Sequence, residues 1–90
     1  MKIQLDSELE TLFSKIISQN KTQYEWALIE SSDMFQSERY CGGFDATENA
    51  FCFSFYDDSG SEYWFQVTLD EITKLMASEY GEIDVRPAEL

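Results

Sequence analysis

The sequence predicts an α+β protein of two layers, an antiparallel sheet of three or four strands flanked by an N-terminal and a C-terminal helix. Apolar residues recur with a helical period near both ends of the chain, and between them the period changes to two. Hydrophobic residues make up 43% of the 90 positions and aromatics 16%, enough for one real core and too many for a disordered chain. The length allows one domain over residues 1–90, with 83–90 reading as a flexible tail that follows the last helix.

The first helix opens at Ser7, where Glu10 three residues on completes a capping box, and Asp6, Glu8 and Glu10 suit the positive end of its dipole. Leu9, Leu12, Phe13, Ile16 and Ile17 form its apolar stripe, and Ser18, Gln19 and Asn20 end it. Tyr24–Ile29 and Arg39–Ala46 read as further strands, with Gly42-Gly43 marking a bulge or bend. Ala50–Tyr56 and Glu62–Val67 alternate around Asp57-Asp58-Ser59-Gly60. A three-residue loop with Gly60 left-handed pairs Asp57 with Ser61. Phe55 then opposes Tyr63, Phe53 opposes Phe65 and Phe51 opposes Val67, all on one apolar face. Cys52, Ser54, Tyr56, Glu62, Trp64 and Gln66 share the other. A tight Thr47-Glu48-Asn49 turn would pair Ala46 with Ala50, placing Cys41 opposite Phe55 on the core face and out of bonding reach of Cys52. Thr68 and Glu71 box the start of the last helix, whose stripe is Leu69, Ile72, Leu75, Met76 and Tyr80; Asp70 and Lys74 are an i, i+4 pair, and Gly81 is the stop.

Charge and residue content exclude several functions. Eighteen acids face six bases, for a formal charge of -12, and there is no histidine. The commonest general base and metal ligand is therefore missing, with every Ser/His or Cys/His pair. Six scattered Lys/Arg cannot form a nucleic-acid footprint, so direct nucleic-acid binding is not expected. Two cysteines without histidine cannot build a zinc site. Asp57-Asp58-Ser59-Gly60-Ser61-Glu62 misplaces the glycine of a calcium loop and reads instead as a solvated turn, so no metal or cofactor is expected. No Asp or Glu sits inside an apolar run where its pKa would rise for acid catalysis, so the chain is not expected to be an enzyme. The N-terminus has no apolar signal-peptide run and no segment is long enough for a membrane span, which points to the cytoplasm and reduced thiols.

The charge is uneven along the chain. Residues 1–24 balance three acids against three lysines, whereas 25–90 hold 15 acids against Arg39, Lys74 and Arg86. A 10.5 kDa globule exposes roughly 5,400 Å², about one net negative charge per 450 Å². Such a density costs stability by self-repulsion and suits a basic partner. The candidate contact residues are Tyr56, Asp57, Asp58, Glu62 and Trp64, with Asp45 and Glu48 at the neighbouring turn in support. Carboxylates would steer association and aromatics would anchor it. The ordinary alternative is that Tyr24–Ile29, residues 30–38 or the tail covers Tyr56 and Trp64.

Length, acidity, absence of histidine and the aromatic-acidic hairpin AFCFSFYDDSGSEYWFQVTLDE resemble small protein inhibitors. These are the immunity proteins that neutralise nuclease toxins, and phage proteins that block CRISPR or restriction enzymes by imitating nucleic acid. The resemblance spans the chain in composition and carries no diagnostic motif. It implies a stoichiometric inhibitor occupying the basic nucleic-acid-binding surface of a nuclease or similar enzyme. A non-enzymatic adaptor, binding through an aromatic sheet face, is the second expectation.

Overall fold

The computed structural model describes residues 1–88 and is α+β, with an antiparallel sheet. The elements are β1 (Lys2–Gln4), α1 (Ser7–Ser18), α2 (Gln23–Ala27), β2 (Phe35–Gln36), β3 (Cys41–Asp45), β4 (Ala50–Tyr56), β5 (Glu62–Val67), α3 (Leu69–Ala77), β6 (Glu82–Asp84) and β7 (Arg86–Pro87). The main sheet has five strands in the order β2-β3-β4-β5-β7, rather than three or four, and β1 pairs β6 in a separate ribbon.

The β4–β5 hairpin has the expected register: Phe55 opposes Tyr63, Phe53 opposes Phe65 and Phe51 opposes Val67. Its turn closes as the residue types require, with Gly60 at φ 86° and Asp57 N–H donating to the Ser61 carbonyl at 2.9 Å. The Phe face carries the core. Phe13 of α1 meets Phe53 edge-on at 6.1 Å, Trp26 of α2 meets Phe51 at 5.2 Å, and Ile72 of α3 joins the same buried cluster. Leu9, Leu12, Phe13 and Ile16 are all buried, each contributing about 1.5–3 kcal/mol of transfer free energy.

Four local expectations are corrected. First, Tyr24–Ile29 is no strand: Thr22 and Glu25 form a reciprocal capping box, and the short helix α2 turns Trp26 fully into the core. Second, α1 is capped by Asp6 rather than Ser7, because the Asp6 carboxylate accepts the Leu9 N–H at 2.9 Å. Third, α3 has the Thr68/Glu71 box but ends at Ala77, one turn before Gly81, so Tyr80 leaves the stripe and is exposed.

Fourth, β3 is shifted by one residue. The β3–β4 loop is 46–49, because the Asp45 carboxylate accepts the N–H groups of Thr47 (2.9 Å) and Glu48 (3.4 Å) and Asn49 takes φ 55°. Asp45 therefore opposes Ala50 and Cys41 opposes Ser54. A one-residue slip exchanges the faces, so Cys41 leaves the core side and shares a face with Cys52; both thiols are free. Gly42 and Gly43 stay in regular pairing without a bulge. At Gly43 the Ser31 carbonyl fills the space of a Cβ, and at Gly42 the Cys52 carbonyl does.

Residues 83–87 of the expected tail form β6 with Glu82, then β7, and bury Ile83 and Val85. Ala88 N–H donates to the Glu62 carbonyl at 2.9 Å, extending the β5–β7 pairing. Residues 89–90 of that expectation lie outside the described residues. No helix among the described residues is long and apolar enough to cross a membrane.

Candidate functional site

The sheet face opposite the Phe core is built from the pairings themselves. Across the strands run the rows Gln36, Cys41, Ser54, Trp64, Arg86, then Gly43, Cys52, Gln66, with Tyr56 and Glu62 paired at one end. Tyr56 is 60% exposed and Trp64 is half-buried, with the Arg86 guanidinium 5.5 Å from the indole centre. Neither the 24–29 segment nor 30–38 removes Tyr56 from solvent; the chain end contributes Arg86 as the cover on one side of Trp64.

The expected residues divide into two groups. Tyr56, Asp57, Asp58, Glu62 and Trp64 gather at the β4–β5 turn and the rows next to it, whereas Asp45 and Glu48 sit at the β3–β4 turn. Successive turns of a meander lie at opposite ends of the strand they share, and the seven residues of β4 separate these by about 20 Å. Asp45 and Glu48 are thus not neighbours of Asp58.

Two of the expected carboxylates are occupied structurally. Asp57 accepts from Ser59 N–H at 2.9 Å, Ser59 Oγ at 2.7 Å and Ser61 N–H at 3.0 Å. The Ser59 hydroxyl, then the Ser61 N–H, hold its carboxyl below the ordinary carboxylate value. Asp45 caps its own turn. Asp58 stays at the surface, 3.9 Å from Arg39, in the sole ion pair among the described residues. The anticipated Asp70–Lys74 pair is not within that range.

Arg39 lies beside a polar bolt that the sequence did not reveal. Glu8 accepts from Ser37 Oγ at 2.6 Å and from Arg39 N–H at 3.1 Å, and Asp6 accepts the Tyr40 hydroxyl at 2.7 Å. The N-cap carboxylate of α1 and one from its first turn thereby hold the turn between β2 and β3. Burial, aided by the Asp6 hydrogen bond, pushes the Tyr40 phenol up to about 12. Asp6, Glu8, Glu38, Arg39, Tyr56 and Asp58 line an open depression there.

No family model, curated protein or solved structure matches the chain. Burial, followed by the charges of Asp45 and Glu48, pushes the Cys52 thiol up, which opposes thiolate formation. Among the described residues no three His, Cys, Asp or Glu side chains come together as metal ligands.

Proposed function

We propose that the protein is a stoichiometric acidic inhibitor that binds the basic nucleic-acid-handling surface of a partner enzyme, a nuclease toxin or a host-defence nuclease. The observation that carries this reading is the lack of internal neutralisation. Among the described residues one acid is in an ion pair and none is buried, so little of the chain's formal charge of -12 is neutralised internally. Spread over 6034 Å², this is about one net negative charge per 500 Å², and a protein keeps such a field at a cost in stability.

The contact surface on this reading is the open sheet face at its β4–β5 end. Tyr56 and Trp64 supply apolar area that a partner desolvates, and Asp58 and Glu62 supply charge at the rim. Asp57 shapes the turn that presents these residues and adds its charge to the rim, and Asp45 and Glu48 extend the field from the other end. Titrating the protein into a fixed amount of a basic nuclease tests this. Activity should fall linearly to zero at one equivalent and recover in competition with excess duplex DNA. No loss of activity across a panel of basic nucleases would overturn it.

The adaptor reading draws on the exposure of Tyr56 and the half-buried Trp64. It predicts that Trp64→Ala abolishes partner binding while Asp58→Asn with Glu62→Gln leaves it intact; inhibition by charge predicts large losses from both.

A further inference from the structure

Half of the large apolar side chains that stand exposed among the described residues fall within one stretch of eleven. Tyr24, Leu28, Ile29 and Met34 are 75%, 85%, 37% and 48% exposed, and only four others, Met1, Ile17, Tyr56 and Tyr80, join them elsewhere. Single exposed apolar residues are ordinary, whereas neighbouring ones that share a surface mark a contact site, and Leu28 and Ile29 line one groove. The backbone explains why these residues are presented. Trp26 and Phe35 both enter the core and meet each other at 5.7 Å, so the chain between them must loop outward. The loop crosses the sheet edge at β3 and seats the Ser31 carbonyl on Gly43, on the face opposite the Phe core.

This crossing leaves a groove of about 630 Å³ between the loop and the open face of β3 and β4. Leu28 and Ile29 form one wall, and Cys41 and Cys52 lie on the sheet side. Glu30, Asp33 and Asp45 line it, and no Lys or Arg does. Ser31 also lines the groove and is buried, and its hydroxyl has no hydrogen-bond partner.

The lining selects the occupant. A second copy of a chain of charge -12 would bring the same three carboxylates against themselves, and an anionic lipid surface is repelled in the same way. A segment that alternates apolar and Lys/Arg side chains fits, with its apolar groups on Leu28 and Ile29 and its cations on Glu30, Asp33 and Asp45. We infer that this groove seats a basic segment of the partner protein, with Leu28 as the central anchor. The inference rests on the inhibitor reading and names where the partner's basic chain lies. It also gives Asp45 a place in the contact surface that its distance from Asp58 had removed.

The test uses the whole 90-residue chain and the synthetic heptapeptide Arg-Leu-Arg-Leu-Arg-Leu-Arg, capped at both ends, followed by amide chemical shifts. Saturable perturbation concentrated at residues 28–33, 41–46 and 52–54 supports the groove. Leu28→Ser, which alters an exposed side chain and leaves the core intact, should weaken binding on the order of tenfold, as loss of an anchor does. Leu28→Met should restore most of it, and Glu30→Gln with Asp33→Asn should flatten its dependence on salt. Perturbation spread evenly over all the carboxylates, or centred on Tyr56 and Trp64, overturns the groove. So does self-association of the free protein that Leu28→Ser abolishes. If the Leu28→Ser protein still inhibits a nuclease at one equivalent with unchanged affinity, the groove fails and the inhibitor reading stands. If the unaltered protein inhibits no nuclease, the reading itself fails, whatever the peptide does.

Discussion

Tyr40 shows how a single residue joins fold and charge. Its ring packs against Phe55 at 5.3 Å, while its hydroxyl reaches back to Asp6, which also caps α1 through its other oxygen. Removing that donor by Tyr40→Phe should lower the unfolding free energy by about 1 kcal/mol, measured by urea denaturation at pH 7. The pH dependence has a fixed sign. The folded pKa of about 12 lies above the ordinary tyrosine value near 10, so the contribution is complete below pH 10 and is lost as pH rises toward 12. The wild-type protein should therefore lose stability over pH 10–12 relative to Tyr40→Phe. Parallel curves for the two proteins across that window would contradict this. At the same scale, Asp57 and Asp45 were legible from sequence only as turn acids available to a partner. Their engagement by Ser59, Ser61 and Thr47 depends on turn geometry that residue type alone does not specify.

At the scale of elements, legibility followed the strength of local pattern. The β4–β5 register was readable because six apolar residues agree on one face and Gly60 dictates where the chain reverses. α3 was readable from Thr68 and Glu71, and α2 carried the same signal in Thr22 and Glu25 but was masked by the strand-like alternation of Tyr24, Trp26 and Leu28. The β3 register was not readable, since a side-chain cap from Asp45 and the left-handed Asn49 add one residue to the loop. β6 and β7 are too short to announce themselves, although Ile83 and Val85 alternate with charged residues. Gly43 is the position where element packing is least forgiving, because the loop crossing above it leaves no space for a methyl group. Gly43→Ala should cost about 1–3 kcal/mol in thermal or urea unfolding. An unchanged midpoint would mean that Ser31 does not sit on β3.

For the whole molecule, the compact body (radius of gyration 12.6 Å, near the 12 Å expected for its length) concentrates a charge of -12 with one ion pair among the described residues. Self-repulsion should therefore dominate the salt dependence of stability. Raising sodium chloride from about 10 mM to 150 mM shortens the Debye length from about 30 Å to 8 Å, below the size of the molecule, and the melting temperature should rise. A fall would mean that favourable ion pairs outweigh repulsion. The net charge was legible from composition, but the layout of the acids was not. The two acidic turns lie at opposite ends of β4, and the exposed apolar residues concentrate in a loop that the sequence suggested as a strand and its sequel.

The most direct measurement of the central claim is the association rate constant with an inhibited basic nuclease, followed from about 10 mM to 500 mM salt. An acidic inhibitor drawn to a basic surface should associate more slowly by at least tenfold over that range, with the dissociation rate little changed. An association rate that stays constant as the field is screened would contradict electrostatic recognition.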